Sequence, residues 1–363
     1  MSQQQVRFGI VGCGSIGPTH AGAIRQIPDT RIVAVADTVQ SRATGLADKF
    51  GVPKAYSSQE ELLADKDVDV VCLCTPSGMH ADGAVAAMRA GKHVIVEKPM
   101  EISLAACDRM IQASDETGMK LTVISQHRFD AASQMASRKI VSGDLGNIVL
   151  ATADVKWWRT QQYYDSGDWR GTWAMDGGGA LMNQGVHTVD LLQWLAGPVE
   201  KVTAHTRTGA HERIEVEDVA VAVLTFKSGA VGTLVATTAA YPGLVVRVDL
   251  FGSKGSLSIE ADTLRMLAIH GKETLWDKSA AAHALSVAQG GTASVKDEAA
   301  HREAAADPGA VWGDAHREQI KDFIRAVRED SQPLIDARAA RKPVEIILAV
   351  YESARTGKTV TLS

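Results

Sequence analysis

The stretch VRFGIVGCGSIG, residues 6–17, decides the fold of the first part of the chain. Its apolar half predicts a buried strand, and three glycines with the spacing G-x-G-x-x-G follow, leading into a helix-compatible segment. In such a unit the first glycine forms the turn, the second lets the backbone approach a pyrophosphate, and the third allows close packing of helix and strand. The helix N-terminus offers N–H groups to the phosphates. The residues expected at the dinucleotide are Gly12, Gly14, Ser15, Ile16 and Gly17.

The next apolar run, RIVAVA at residues 31–36, strengthens this interpretation because Asp37 follows it, twenty residues beyond Gly17. A carboxylate at the end of the second strand accepts hydrogen bonds from the adenosine ribose 2′-hydroxyl and repels a 2′-phosphate. The sequence therefore predicts a nicotinamide cofactor, with NAD favoured over NADP.

Length and composition set the broad class of the protein. The 363 residues suffice for about two domains of ~150 residues each. A net charge of −5 argues against nucleic acid or an anionic membrane as partner, so we expect a small molecule. The four cysteines form no CxxC pair, which favours reduced thiols in a cytoplasmic protein. No signal peptide and no apolar run of ~18 residues is evident, so we expect no membrane contact.

Strands and helices alternate over residues 6–125, which predicts a doubly wound parallel sheet, a Rossmann domain. The predicted strands are 6–11, 31–36, 68–74, 93–98 and 121–125, and the predicted helices are 41–50, 59–64, 79–90 and 103–117.

Beyond Gly143, consecutive segments with period-2 alternation predict a large, mostly antiparallel open sheet in an α+β domain. The predicted strands are 147–157, 199–208, 218–226, 230–238, 245–251, 256–260 and 359–362, and the predicted helices are 187–195, 312–328 and 338–353. We therefore expect a cofactor domain at 1–125 and a substrate and oligomerisation domain at 126–363, with a surface excursion at about 278–308.

Three further stretches place polar groups where a cofactor or substrate can meet them. CTPSGMH, residues 74–80, ends a strand, which is where open α/β sheets bind ligands. EKP, residues 97–99, ends the next strand, and GGGALMNQGVHTVD, residues 177–190, puts Asn183 and His187 four apart on one helix face. Taken alone, His187 is as compatible with a structural histidine as with a proton acceptor. The candidate cofactor residues here are Thr75, Pro76, His80, Glu97 and Lys98.

These motifs, in this order along the whole chain, resemble the Gfo/Idh/MocA oxidoreductase family, named for glucose–fructose oxidoreductase and inositol dehydrogenase. The resemblance implies a Rossmann domain followed by a C-terminal domain whose open sheet supports homodimers or homotetramers. It also implies that Lys98 and His187 are catalytic and that position 183 is the polar partner of the histidine.

Position 183 departs from the inositol dehydrogenases, which carry an aspartate there, because this chain has Asn183. An amide can orient a hydroxyl or an imidazole, but it cannot take a proton. Residues 163–187 are similar instead to the branch that contains UDP-N-acetylglucosaminuronate 3-dehydrogenases.

Aromatic and arginine residues are concentrated at 157–173. Aromatic faces stack on sugars, and guanidinium groups suit carboxylates or phosphates. A packed loop is the open alternative to a substrate site. The candidate substrate residues are Arg159, Tyr163, Trp169, Arg170, Asn183 and His187.

Together these residues predict oxidation of a secondary hydroxyl of a sugar, nucleotide sugar or cyclitol, with His187 as base and Lys98 orienting the hydroxyl. No third ligand accompanies His187 and Asp190 at convincing spacing, so we expect no metal. Two alternatives stay open: a glycoside-cleaving enzyme with transient oxidation at C3, and a non-catalytic dinucleotide-binding regulator.

Overall fold

The computed structural model describes residues 5–272, 275–276 and 313–362. The predicted excursion at 278–308 lies outside these residues. The described chain divides into two compact units. The first unit comprises residues 5–126, 172–177 and 313–344, and the second comprises 127–171, 178–272, 275–276 and 345–362. The predicted domain boundary at 125/126 stays a prediction.

The first unit contains a six-stranded parallel sheet of order β3-β2-β1-β4-β5-β6, as the alternation of strands and helices predicts. Its strands are β1 (Val6–Val11), β2 (Thr30–Ala36), β3 (Lys54–Tyr56), β4 (Val70–Leu73), β5 (His93–Val96) and β6 (Leu121–Val123). Its helices are α1 (Gly17–Arg25), α2 (Gln40–Phe50), α3 (Gln59–Ala64), α4 (His80–Arg89) and α5 (Leu104–Thr117). The strand order reverses between β1 and β4, the position where doubly wound sheets bind their ligands.

The second unit contains a nine-stranded sheet of order β14-β13-β12-β11-β7-β10-β9-β8-β15. The pair β7 and β10 is parallel and its other pairs are antiparallel. The strands are β7 (Ile148–Lys156), β8 (Val199–Arg207), β9 (Val219–Phe226), β10 (Val231–Thr237), β11 (Arg247–Gly252), β12 (Gly255–Glu260), β13 (Thr263–Ile269), β14 (Leu275–Trp276) and β15 (Val360–Thr361).

The remaining helices follow the same order along the chain. They are α6 (Ala131–Val141), α7 (Gln161–Asp165), α8 (Val186–Ala196), α9 (Gly313–Arg328) and α10 (Ala337–Thr356). Helix α8 packs on β7 and β11, and α9 packs on α1. No helix among the described residues is long and apolar enough to cross a membrane.

The alternation of β9 and β10 gives the second sheet one buried and one exposed face. Alanines and Leu224 point into the core, whereas Val221, Val223 and Val231 are exposed. Pairing places the three valines on the same face, since Val231 lies opposite Thr225 and Val223 opposite Thr233. This face is therefore an apolar patch.

Candidate active site

The glycine loop of the first unit leaves no room for side chains at two of its glycines and open space at the third. Gly12 has φ +93°, and a Cβ there would lie 2.5 Å from the Cys74 carbonyl oxygen. A Cβ on Gly17 would lie 2.8 Å from the Gly12 oxygen, whereas one on Gly14 would meet nothing within 4 Å. These contacts agree with a turn, a close helix contact and a surface open to a phosphate.

Asp37 lies beside this loop. Its carboxylate accepts hydrogen bonds from the Cys13 and Val39 N–H groups, each at 2.8 Å. Helix α1, which begins at the loop, has no side-chain cap, so its N-terminal dipole is available to an anion. Ser15 is exposed and Ile16 half-buried in the loop. These features fit a dinucleotide, and the contact of Asp37 with its ribose stays a prediction.

Thr75 and Pro76 follow β4 as predicted, and a buried histidine holds them in place. The two ring nitrogens of His80 lie 2.9 Å from the Thr75 carbonyl oxygen and 2.8 Å from that of Pro99. Burial lowers the pKa of His80, against the opposing effect of the two carbonyl oxygens, and the ring lies between the segments that follow β4 and β5. The Thr75 hydroxyl is buried and has no hydrogen-bond partner among the described residues, as expected of a group that binds a ligand.

Glu97 lies inside the first unit, next to two histidines. Its Oε1 is 2.6 Å from His20 Nε2 and 3.8 Å from His316 Nε2, and its Oε2 accepts the Lys98 N–H at 3.2 Å. Burial opposes ionisation of Glu97, but the hydrogen bond from His20 and the nearby His316 outweigh it, so the pKa of Glu97 lies well below its usual value.

The charge on His20 is stabilised in the same way. Burial disfavours the imidazolium, but contacts with the Cys74 thiol and the Glu97 carboxylate outweigh burial, and the pKa of His20 is raised well above its usual value. This buried pair joins α1, the helix of the glycine loop, to the segment after β5 that continues to half-buried Lys98. Binding of the cofactor by Glu97 and Lys98 stays a prediction.

Asn183 and His187 lie on one continuous helical segment of the second unit. It begins with a turn of π-helix, Ala180–Gly185, and continues as α8. Inserted π-turns are rare and are frequently found at functional sites. Both side chains are half-buried, and their spacing puts them on one face.

Ionised side chains lie around His187. The His127 ring lies edge-on to the His187 ring with centroids 5.1 Å apart, and His127 Nδ1 is 2.9 Å from both Asp130 and Asp262. Burial opposes the charge on His127, but the two carboxylates outweigh burial and raise its pKa to about 10. Asp190 binds Arg128 in a buried bidentate pair at 2.5 and 2.7 Å.

The predicted substrate residues near position 160 form one cluster in the second unit. The Arg170 guanidinium lies 4.4 Å from the ring centroids of Tyr163 and Trp169, and it donates to the Tyr163 hydroxyl at 2.8 Å. Arg159 is 3% exposed and stacks on Tyr163 at 5.5 Å. The cluster reaches the His187 helix through Gln184, which donates to the Tyr163 hydroxyl and accepts from Arg159.

Gln184 and His127 are residues that the sequence analysis missed. Gln184 adjoins Asn183 in the chain, so its position was a usable signal. No sequence signal marked His127, because Asp262, one of its two partners, lies 135 residues away along the chain. The atoms of His20, Glu97 and His316, and those of His127, Asp130 and Asp262, lie close enough for a metal ion, and each group already contains an ion pair.

Comparison with known families matches both parts of the chain. Residues 6–125 match "Oxidoreductase family, NAD-binding Rossmann fold", and residues 133–258 match the "GFO/IDH/MocA C-terminal domain". The chain belongs to the Gfo/Idh/MocA family. It is an oxidoreductase with an NAD-binding domain, in a family of sugar and cyclitol dehydrogenases.

Relatives named for their activities match nearly the whole chain. Myo-inositol 2-dehydrogenase of Thermotoga maritima is 26% identical over 98% of both chains. The NAD-dependent scyllo-inositol 2-dehydrogenase of Bacillus subtilis is 26% identical over 99% of this chain and 97% of its own. The solved WlbA dehydrogenase of Bordetella pertussis, in complex with NADH and UDP-GlcNAcA, is 33% identical, covers 99% of both chains and has a TM-score of 0.84. NAD is therefore the cofactor that these comparisons favour.

Proposed function

We propose that this protein oxidises a secondary hydroxyl of a sugar-type substrate, with His187 accepting the hydroxyl proton and Lys98 orienting the hydroxyl. The observation that carries the proposal is the helical segment that presents Asn183 and His187 on one face and meets the cluster of Tyr163 and the arginines through Gln184. NAD supplies the hydride acceptor.

Each side chain has a defined task in this proposal. A neutral imidazole is the side chain best matched to proton transfer near pH 7. The Lys98 ammonium donates to the reacting oxygen and stabilises the negative charge that develops on it. Asn183 has no proton to exchange, so it orients the substrate hydroxyl or the imidazole.

We further propose that the substrate is a nucleotide-linked uronic sugar. Arg170 is suited to a carboxylate or phosphate, and Tyr163 and Trp169 to a sugar or base. Arg159, predicted as a substrate residue, is buried and bound to Trp158 and Gln184, so it supports the cluster from behind. The WlbA structure, which holds UDP-GlcNAcA, supports this class, as does Asn183 in place of the aspartate of inositol dehydrogenases.

The test is incubation of the purified protein and NAD with UDP-GlcNAcA, myo-inositol or scyllo-inositol while NADH absorbance is recorded. The proposal predicts NADH formation with UDP-GlcNAcA and a much lower kcat/KM with both inositols. Cofactor binding without NADH formation from any substrate would favour a regulator, and sugar release without net NADH would favour glycoside cleavage.

The exposed face of the second sheet supports a homodimer or homotetramer in a cytoplasmic protein as part of the same proposal. Val221, Val223 and Val231 form its apolar patch. An assembly buries such a patch, so Val223→Glu is expected to give a monomer in light scattering. A monomeric wild-type protein would contradict this arrangement.

A further inference from the structure

Glu217 is a buried acid that the proposed reaction does not use directly. It is 3% exposed and lies two residues before β9. Its Oε2 accepts the Gly179 N–H at 2.9 Å, and its Oε1 accepts the Leu181 N–H at 2.8 Å. Its main-chain oxygen accepts the Ala180 N–H at 3.0 Å. One residue therefore binds three consecutive N–H groups.

These N–H groups begin the helical segment that carries Asn183 and His187. The first N–H groups of a helix have no partners within the helix, and Gly179 provides no side-chain cap. A carboxylate at this end satisfies the donors and meets the positive end of the helix dipole. Glu217 therefore caps the N-terminus of this helical segment, although it is distant from it along the chain.

The glycines of the GGG motif make this contact possible. A Cβ on Gly179 would lie 1.8 Å from the Glu217 main-chain oxygen, and one on Gly178 would lie 2.1 Å from the Tyr351 hydroxyl. Tyr351 of α10 donates that hydroxyl to Glu217 Oε1 at 3.0 Å. The backbone thus approaches both residues more closely than any other amino acid would allow.

We propose that Glu217 is a positioning residue for the proposed oxidation, because its carboxylate and the Tyr351 hydroxyl fix the start of the helix that presents Asn183 and His187. The inference rests on the proposed function for its catalytic consequence, but the anchoring of the helix is independent of substrate. Glu217 touches neither His187 nor a ligand in this role, so it acts through the helix.

The charge state of Glu217 changes near neutral pH. Burial raises the pKa of Glu217 to about 7, against the opposing effect of its main-chain and Tyr351 hydrogen bonds. The groups that face it are main-chain N–H groups from the helix and Tyr351 from α10, while Asp218, the next residue along the chain, binds the 209–211 loop. The ionised form accepts from all the donors, whereas protonation adds an O–H among them. Anchoring therefore weakens as pH falls below about 7.

The first measurement is hydrogen exchange of the protein without substrate, comparing wild type with Glu217→Gln. Exposed Glu352 on α10, beside Tyr351, provides the matched control Glu352→Gln. We expect faster exchange over residues 179–187 in Glu217→Gln alone, with α9 unchanged in both variants. Equal protection of 179–187 in the wild type and Glu217→Gln would overturn the inference.

The second measurement is the pH dependence of kcat/KM with NAD and UDP-GlcNAcA. We expect a kcat decrease of ~10–100-fold in Glu217→Gln, as for a misplaced catalytic group, with the Kd for NADH unchanged. On the acid side of the profile, activity of the wild type is expected to require the loss of two protons, one from His187 and one from Glu217. Activity of Glu217→Gln is expected to require the loss of one. A two-proton limb in both proteins would overturn the inference.

Tyr351→Phe keeps the inference testable if Glu217→Gln does not fold. The variant removes a hydrogen bond that favours the ionised carboxylate, so the acid limb is expected to move to higher pH. An unmoved limb would contradict the inference. Failure of the proposed function is recognised separately, since it leaves His187→Ala as active as the wild type whatever the exchange data show.

Discussion

Glu97 in the first unit and Glu217 in the second are both buried, yet their environments shift their pKa values in opposite directions. Glu97 lies 2.6 Å from a histidine ring, and its pKa is held well below the usual value. Glu217 meets main-chain N–H groups and a tyrosine hydroxyl, and its pKa rises to about 7. Burial alone does not set the charge of a buried acid; the charge of its partner decides.

The difference also separates two uses of a buried carboxylate. In the pair of Glu97 and His20 each partner favours the charged form of the other, and the pair joins two elements of a cofactor-binding fold. Glu217 titrates at neutral pH, which costs stability in its ionised form. Such a cost is common where a residue serves a site rather than the fold.

The largest expected effect on stability comes from breaking the buried ion pair of Glu97 and His20. Glu97→Ala leaves the His20 imidazolium buried without its partner, which is expected to lower the free energy of unfolding by ~3–5 kcal/mol in urea denaturation. Arg338→Ala, which breaks an exposed pair with Asp115 in the same unit, is the control. It is expected to leave the midpoint nearly unchanged. Equal midpoints for the two variants would show that Glu97 is not part of a stabilising pair.

The next effect is the pH dependence of stability that Glu217 contributes. Its folded pKa of about 7 lies above the ordinary value of 4.5, so its contribution is fully present below pH 4.5 and is lost as pH rises through about 7. The loss is on the order of 3 kcal/mol. Urea denaturation from about pH 5 to 8 is expected to show this component in the wild type and not in Glu217→Gln. Parallel pH curves for the two proteins would exclude an elevated pKa for Glu217.

A smaller effect is expected when a carboxylate is placed beside a histidine in the second unit, as in the first. Asn183→Asp puts a carboxylate on the same helix face as His187, as Glu97 lies beside His20. The new charge favours the imidazolium and raises the pKa of His187, so the acid limb of the rate profile is expected to move to higher pH by about one unit. Asn183→Ala adds no charge and is expected to lower the rate without this movement. If the acid limb of Asn183→Asp does not move, the side chains at positions 183 and 187 are not close to each other.

The two units also differ in how far the sequence predicted them. The parallel sheet was predicted correctly except for β3, whose three residues are all half-buried and give no alternation. In the second unit α6, α7, β13 and β14 were missed. The turn before β13 places Ala261 and Asp262 at positive φ without glycine, so the usual hairpin signal is absent.

The site shows the same limit. The motifs pointed to Asn183 and His187, but not to the turn of π-helix or to its anchor. Glu217 stands in the acidic run EVED with Glu215 and Asp218, and nothing in that run marks which carboxylate binds the start of the helix. Its partners are 36 to 134 residues away along the chain. Local patterns identify helices and loops, whereas pairings over such distances depend on the folded chain.

The most direct test of the account is the rate of His187→Ala with NAD and UDP-GlcNAcA, measured beside His270→Ala, an exposed histidine of the same unit. Loss of a general base is expected to lower kcat by roughly 10²–10⁴-fold in His187→Ala, with the Kd for NADH unchanged and His270→Ala equal to the wild type. A His187→Ala protein that turns over as fast as His270→Ala would contradict the assignment of His187 as the base.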